Sequence, residues 1–196
     1  NINNTLKEAY RVLKPGGRAV ISDIVSDEFV PEHLQNDPEL WSGCISGAFQ
    51  ESEFLKAFER AGFYGIEIPV LQHQPWQTVE GIEFRSATVI AYKGKEGPCD
   101  DYNEAVIYRG PFAKVFDDDG HVFRRGERTA VCRNTFTIMT RAPYSQNFIP
   151  VPPHQPISDA KPMLCSGEQR SPKVTKGKNY KLTVVGEDCC ETGDCC

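Results

Sequence analysis

The class of fold is indicated by residues 6–24, which read LKEAYRVLKPGGRAVISDI. Apolar side chains recur there at the spacing of one helix face, at Leu6, Ala9, Tyr10 and Leu13. Thr5 and Glu8 have the spacing of a capping box for this helix. Pro15-Gly16-Gly17 ends it, because proline cannot continue a helix and glycine tolerates a left-handed backbone. We therefore predict a helix, a tight turn and a strand.

The strand after the turn, Arg18–Ile24, carries the apolar run Ala-Val-Ile before Asp23. Such a run is typical of a central parallel strand that is covered on both faces. A second amphipathic helix is predicted over Glu51–Ala61, and further strands over Tyr64–Val70 and Phe84–Tyr92. This mixture of helices and strands indicates an α/β sheet.

Between the first strand and the second helix lies PEHLQNDPELWSGCISGAF, residues 31–49. Its prolines and glycines break regular structure, so we expect short helical turns. Ligands of open α/β sheets bind beyond the carboxyl ends of the strands. The segment leaves the carboxyl end of the first strand, where a substrate lid would lie.

Composition changes at KGKEGPCDD, residues 93–101, which we interpret as a linker. A turn is predicted further on at DDDG, residues 117–120, whose aspartates are interpreted as solvated charge. The other elements expected in this half are three strands and a short helix, over Ala105–Arg109, Ala113–Phe116, Val122–Val131 and Arg133–Thr140.

These elements suggest three parts of the chain. Residues 1–93 would hold the α/β sheet, and residues 94–157 a small α+β domain. Residues 158–196 lack sustained hydrophobic periodicity and are expected to form a flexible, Cys-rich tail.

Composition excludes some classes of function. The content of 39% hydrophobic and 25% charged residues is ordinary for a globular protein. The net charge of -5 argues against nucleic acid as a partner, since a broad nucleic-acid-binding face needs a basic excess. No apolar run approaches the roughly 20 residues that span a bilayer, so no membrane association is expected.

Eight cysteines are many for 196 residues. Four occur singly, at Cys44, Cys99, Cys132 and Cys165, and four lie at the end of the chain, at Cys189, Cys190, Cys195 and Cys196. This is not the spread of a secreted disulfide framework, and the family resemblance described below implies a cytoplasmic location, where thiols stay reduced. Cys132 follows Ala-Val and is expected in the core. The four histidines, at positions 33, 73, 121 and 154, are too dispersed to propose as ligands.

Residues 31–49 resemble S-adenosylmethionine-dependent arsenite methyltransferases, in which a metalloid-binding cysteine lies between a Leu-Trp pair and a Gly-Ala step. Cys44 occupies the position of that cysteine. The likeness continues through Phe84–Lys93 into Gly97-Pro98-Cys99, where the family has a second arsenic-binding cysteine, and extends to about residue 150. The resemblance implies an α/β fold: the C-terminal portion of a doubly wound, Rossmann-like methyltransferase sheet, followed by a small α+β domain.

The resemblance also implies an activity. Cys44 and Cys99 would bind trivalent arsenic as thiolates and act as the catalytic residues, because arsenic is thiophilic. Arsenic held on sulfur would present its lone pair to the sulfonium methyl of S-adenosylmethionine, so proximity rather than a general base would promote transfer. Arsenite or its thiol conjugates would be the substrate, in arsenic detoxification, with a thiol reductant such as thioredoxin or glutathione as partner.

In this family the VLKPGG unit lies past the middle of the catalytic domain, and no glycine-rich cofactor loop precedes it here. We therefore expect a C-terminal half that is inactive alone, with most of its cofactor site elsewhere.

Two other functions stay open. The chain could be a thiol-rich trap for soft metals or metalloids, in which Cys189, Cys190, Cys195 and Cys196 are secondary ligand candidates. It could also be a class I methyltransferase with an organic acceptor, although no base is evident that would deprotonate one. Cys44 itself could instead be a small buried hydrophobe beside Trp41.

Overall fold

The computed structural model describes residues 2–94, 96–164 and 167–184. The first half forms one sheet with helices packed against it. Its elements, in chain order, are α1 (Ile2–Val12), β1 (Arg18–Ser26), α2 (Glu32–Gln35), α3 (Pro38–Ser42), β2 (Phe49–Gln50), α4 (Glu51–Arg60), β3 (Tyr64–Leu71), β4 (Gln77–Val79) and β5 (Ile82–Tyr92). The strand order is β2-β1-β5-β3, and β4 also pairs with β5. The predicted helices, strands and short helical turns are all present.

The pairing of β1 differs from the prediction. All nine residues of β1 pair antiparallel with β5. Among the described residues, its parallel pairing is limited to Val25 and Ser26, opposite β2. Val20 is 53% exposed, so the strand is not covered on both faces there. The expectation of a central parallel strand is wrong for this structure, because a short apolar run does not by itself specify the direction of its neighbours.

Helix α1 also begins earlier than predicted. It starts at Ile2, which places Thr5 inside the helix instead of at its N-cap. Glu8 accepts hydrogen bonds from Arg11 one turn later, at 2.7 and 2.9 Å, so the predicted capping box is wrong. Among the described residues, the helices are all too short or too polar to cross a bilayer.

The core of this half lies between the sheet and the helices α1 and α4. Leu6 of α1 and Phe58 of α4 are fully buried against β-strand residues such as Val89. The Phe58 ring makes edge contacts with Phe54 and Phe63, at centroid distances of 5.5 and 5.9 Å. Burial of these aromatic side chains supplies much of the stabilisation that holds the helices on the sheet.

The described residues of the second half form three small sheets and two α-helices. Its elements are β6 (Asp100–Asp101), β7 (Ala105–Tyr108), β8 (Lys114–Phe116), β9 (Val122–Arg124), β10 (Arg128–Ala130), α5 (Arg133–Met139), a 3₁₀ turn (Tyr144–Gln146), β11 (Phe148–Val151), β12 (Lys161–Pro162) and α6 (Pro172–Lys176). The sheets are β10-β7-β11, β8-β9 and β12-β6. The single strand predicted over Val122–Val131 is two strands, because Gly126 turns the chain with a φ of 80°.

The described part of the expected flexible tail packs against this second half. Arg170 donates two hydrogen bonds to the Asp101 carboxylate, at 2.7 and 2.9 Å. The Met163 amide donates to the Cys99 carbonyl at 2.8 Å, and Thr175 is 4% exposed. Backbone pairing and an ion pair thus hold a segment that has no apolar periodicity, and the flexibility expected for residues 158–196 stays a prediction. The cysteines from Cys165 onward lie outside the described residues.

We predict that the Arg170 to Asp101 pair holds this segment in place. Arg170→Gln should lower the free energy of unfolding by about 1–3 kcal/mol, because it leaves a partly buried carboxylate without its charged donors. It should also speed proteolysis between residues 161 and 176. Chemical denaturation and limited proteolysis measure both effects. Lys173→Gln, an exposed change in α6, is the control, and equal effects of the two variants would contradict the prediction.

Candidate functional site

Cys44 lies just after α3, at the position that follows the C-cap residue Gly43. Glycine is common at this position of a helix end. Its amide donates to the Trp41 carbonyl at 3.2 Å, and the Ile45 amide donates to the Leu40 carbonyl at 3.1 Å. Together these bonds form a Schellman motif whose left-handed residue is Cys44, with a φ of 61°. Leu40 and Ile45 pack in the same apolar cluster, which completes the motif.

A cysteine in this conformation carries a steric cost of ~1–2 kcal/mol that glycine avoids. The other described non-glycine residues with positive φ have local reasons for it. Glu80 lies in the two-residue turn between β4 and β5, and Asn103 is a residue type that tolerates the conformation. Neither reason applies to Cys44. Strained backbone persists chiefly at functional positions, so the thiol is the better reason for this cysteine.

Cys44 is exposed, and the side chain of Trp41 is 64% exposed beside it. The alternative interpretation of Cys44 as a small buried hydrophobe is therefore wrong. Cys132, by contrast, is 1% exposed, as the sequence predicted.

Cys99 is exposed in the loop that leads into β6, and the loop is held from two sides. The Asn134 side-chain amide donates to the Pro98 carbonyl at 3.1 Å. The amide of Met163 donates to the Cys99 carbonyl, as described above. A loop of this kind can present a thiol to solvent at a defined position.

A cavity of about 370 Å³ lies beside Cys99. Its lining residues are Gly97, Cys99, Asp119, His121, Cys132, Asn134, Thr135 and Ile138. Cys44 does not line it. The structure therefore places Cys132, and not the predicted partner Cys44, at the cavity beside Cys99.

The segments of Cys44 and Cys99 leave the sheet near opposite ends of β1. The linker to Cys99 starts at Lys93, which exchanges backbone hydrogen bonds with Gly16 and Gly17 before β1, at 2.7 and 2.9 Å. Cys44 follows the other end, where Ile45 packs in one cluster with Phe84. A strand of nine residues is roughly 30 Å long. The Cys99 loop would have to bridge much of that length to meet Cys44.

Contacts around Tyr64 join the two halves of the chain. Arg141 donates to the Tyr64 hydroxyl at 2.9 Å, and the rings of Tyr64 and Tyr144 stack with a centroid distance of 6.5 Å. Gly65 has a φ of 60°, and a Cβ there would lie 3.0 Å from a Pro143 ring atom. Burial raises the pKa of Tyr144 well above its usual value, so its hydroxyl stays neutral.

The sequence analysis did not predict the pairing of His121, which lines this cavity, with Asp117. His121 Nδ1 lies 2.6 Å from Asp117 Oδ2, and the two side chains are 8% and 5% exposed. The hydrogen bond to Asp117 raises the pKa of His121 despite its burial. The interpretation of Asp117 as solvated charge is therefore wrong, although the turn predicted at residues 117–120 is present. The signal in the sequence was the pairing of Asp and His at the two ends of one hairpin turn.

Asp117, Asp119 and His121 place their ligand atoms within 4.8 Å of one another. The hairpin itself explains this cluster. Asp117 Oδ1 accepts hydrogen bonds from the amides of Asp119 and His121, at 3.1 and 2.8 Å, as a turn-forming aspartate does. We therefore assign it a structural role.

Helix α5 forms one wall of the cavity and is fixed by its first residue. Arg133 donates to the Glu104 carboxylate at 2.9 Å, and its guanidinium lies 4.1 Å from the centroid of the Tyr102 ring. Burial raises the pKa of Glu104, and the charge of Arg133 opposes that rise. This contact, buried on the Glu104 side, fixes the start of α5 next to the chain that follows the Cys99 loop.

Comparison with known proteins identifies relatives of this chain. A methyltransferase-domain family model matches residues 1–62, and a model for a domain of unknown function matches residues 95–180. An arsenite methyltransferase of Aquipseudomonas alcaligenes is 32% identical over 160 residues, which are 74% of this chain and 46% of that protein. The arsenite methyltransferase of Homo sapiens is 30% identical over 155 residues, 74% of this chain and 41% of that protein. The chain spans less than half the length of these curated relatives.

A solved structure of an arsenic(III) S-adenosylmethionine methyltransferase from Chlamydomonas reinhardtii is also similar. The match has 24% identity and a TM-score of 0.48, and it covers 83% of this chain and 57% of that chain.

We predict that Cys44→Gly stabilises the protein. The free energy of unfolding should rise by about 1 kcal/mol, because glycine adopts the left-handed conformation without the clash of a Cβ. Cys44→Ser keeps the Cβ and should leave the stability within about 0.5 kcal/mol of the unmodified chain. Urea denaturation of both variants measures the difference. Equal stabilities of the two variants would contradict the strain at Cys44.

We also predict that the His121 to Asp117 pair makes stability depend on pH. Because the folded pKa of His121 is raised, its contribution is fully present below the unfolded pKa of about 6.5 and is lost as pH rises through the folded pKa. The free energy of unfolding should therefore fall as the pH rises above about 6.5. Asp117→Asn should flatten this part of the profile.

Denaturation midpoints measured between about pH 5 and 9 test this expectation, with His33→Gln as the control for an exposed histidine. The same slope in Asp117→Asn and in the unmodified chain would show that the pair does not cause it.

Proposed function

Because this chain is homologous to arsenite methyltransferases over about three quarters of its length, we propose that it supplies the arsenic-binding part of an S-adenosylmethionine-dependent arsenite methyltransferase. The reaction is methyl transfer from S-adenosylmethionine to trivalent arsenic. Since the chain spans less than half of these relatives, the activity is that of a larger unit, and this chain contributes the side that receives the metalloid.

The proposed division of the chain separates the large sheet of the first half from the small sheets of the second half. Residues 1–93 form part of the methyltransferase domain, and residues 94–157 form the small domain that contributes to the substrate site. The segment described up to residue 184 packs on this second domain and is counted with it. One proposed arsenic ligand, Cys44, lies in the first part and the other, Cys99, in the second.

The observation that carries the proposal is the strained, exposed Cys44. Glycine would satisfy the turn after α3 at lower cost, so the thiol has to contribute something that the turn does not need. A thiolate suits trivalent arsenic, which is thiophilic. Cys99 offers a second exposed thiol on a loop that is held from two sides.

One arsenic bound by both Cys44 and Cys99 requires a change in the arrangement described above. The two segments leave the sheet near opposite ends of β1, so the loop of Cys99 has to move toward the end where Cys44 lies. Holding the metalloid on two sulfurs would then fix its position for transfer, which is catalysis by proximity. No general base is needed, since arsenic reacts through its lone pair.

The described residues do not fit S-adenosylmethionine by themselves. Nucleotide ligands of α/β sheets bind at the carboxyl ends of strands, usually against a glycine-rich turn. Gly16 and Gly17 lie before β1, at its amino end, and the Gly16 region contacts the Arg141 side chain. We therefore assign no cofactor contact to a residue of this chain.

The other two functions considered from the sequence are less well supported. A metal trap based on the terminal cysteines would leave the strain at Cys44 unexplained. An organic acceptor would need an accessible base, and the side chain of His121 is only 8% exposed. The thiol reductant, a role in arsenic detoxification and a cytoplasmic location stay predictions that accompany the proposed activity.

Arsenite titration of the full chain tests the proposal. The cysteines from Cys165 onward are first replaced by serine. Any thiol-dependent binding then comes from Cys44, Cys99 or Cys132. The double variant Cys44→Ser, Cys99→Ser should then bind arsenite at least ~100-fold more weakly than this parent, because chelation by two thiolates is lost.

The titration is carried out under reducing conditions and followed by native mass spectrometry. Ser22→Ala with Ser86→Ala, two changes on the sheet, is the matched double control. Unchanged stoichiometry and affinity in the cysteine double variant would overturn the proposal.

A further inference from the structure

The cavity beside Cys99 contains a second thiol that the proposed function does not use. Cys132 lines the same cavity and is 1% exposed, whereas Cys99 is exposed. One thiol is therefore part of the inner wall, and the other stands at the solvent side. The volume of about 370 Å³ is ample for a small inorganic ligand between them.

Helix α5 holds both thiols at this cavity. Cys132 directly precedes the helix, and its Sγ lies 3.4 Å from Thr135 Oγ1. The neighbouring Asn134 binds the carbonyl of Pro98 at 3.1 Å, next to Cys99. Two consecutive residues of one helical turn thus position the two sides of the cavity. Both cysteines are therefore anchored to α5, and such anchoring lowers the entropy that is lost when a ligand joins them.

The arrangement of donor atoms favours a ligand that needs only sulfur. Among the described residues, three metal-ligating side chains lie close together, those of Asp117, Asp119 and His121. The group does not include the sulfur of Cys99 or of Cys132. The cavity therefore lacks the four converging donors of a preformed zinc site. Trivalent arsenic prefers soft thiolate ligands and can be held by two of them.

We propose that Cys99 and Cys132 form a capture site for trivalent arsenic inside this cavity. The identity of the ligand rests on the proposed function, but the site does not depend on Cys44. Arsenous acid, As(OH)₃, reacts with the two thiols: two As–S bonds form, two As–O bonds break, and each thiol proton leaves in a water molecule. The third hydroxyl stays on arsenic, and no oxidant or reductant takes part.

Cys99 then belongs to two sites in turn. In the arrangement described here its partner is Cys132, and after movement of the loop its partner is Cys44. Exchange of ligands needs only thiols: an As–S bond to Cys44 forms, the bond to Cys132 breaks, and the proton of the Cys44 thiol passes to the Cys132 sulfur. Arsenic would be captured in the second domain and transferred to the first.

Phenylarsine oxide tests the capture site directly, because it joins two thiols as one phenylarsenic bridge and releases one water. The full chain is used with serine in place of each cysteine from Cys165 onward. After trypsin digestion, mass spectrometry should find Glu96–Arg109, which carries Cys99, linked to Thr129–Arg133, which carries Cys132. The link should persist in Cys44→Ser.

Arsenite affinity gives the quantitative test in the Cys44→Ser background. Cys132→Ala should weaken binding on the order of 100-fold, because one of two chelating sulfurs is lost. Thr135→Val removes the polar contact to Cys132 but keeps the thiol, and it should bind within about threefold of the parent. An equal loss in both variants would mean that Cys132 acts only through packing, and would overturn the capture site.

The linked peptides also separate this inference from the proposed function. A link from Cys99 to Cys44 without one to Cys132 would overturn the capture site and leave the proposed function standing. A link from Cys99 to Cys132 supports the capture site. The absence of any link from Cys99 would overturn both.

Discussion

The antiparallel pairing of β1 with β5 is the interaction on which the rest of the structure depends. It runs the full length of β1 and joins the start of the first half to its last strand. Helices α1 and α4 pack against the resulting sheet through Leu6 and Phe58. This strand pair also separates the starting points of the segments that carry the two proposed arsenic ligands. The segment of Cys44 follows one end of the pair, and the linker to Cys99 starts at the other.

The turn after α3 has a residue that does not suit its backbone conformation. The hydrogen bonds of the Schellman motif require a left-handed residue, and glycine meets that requirement at the lowest cost. Cys44 stands there instead, exposed and with a φ of 61°. The cost of about 1–2 kcal/mol is below the roughly 5–15 kcal/mol by which a typical domain is stable, so the chain can keep an exposed thiol at this position without losing the fold. This is the strongest physical sign of function in the first half.

Polar contacts hold several segments of the second half in place. Arg170 with Asp101 and Arg133 with Glu104 hold the segments that surround the Cys99 loop, while Phe123 and Phe148 supply a small aromatic core. Small domains bury less apolar surface per residue, so specific ion pairs and backbone pairing have a larger part in fixing their loops. The cavity with Cys99 and Cys132 is a product of these contacts.

The sequence by itself determined the local elements: the α1–turn–β1 unit, α4, the strands around Tyr64 and Phe84, and α5. It also drew attention to Cys44 and Cys99, whose role as arsenic ligands is a proposal. These follow from periodicity, turn residues and a resemblance, all of which are readable along the chain. Only the tertiary structure decided that β1 pairs antiparallel, that Arg170 holds the predicted tail, and that Cys132 and His121 lie beside Cys99. Such pairings join residues far apart in sequence, and their energies depend on burial and on partner geometry that no local pattern contains.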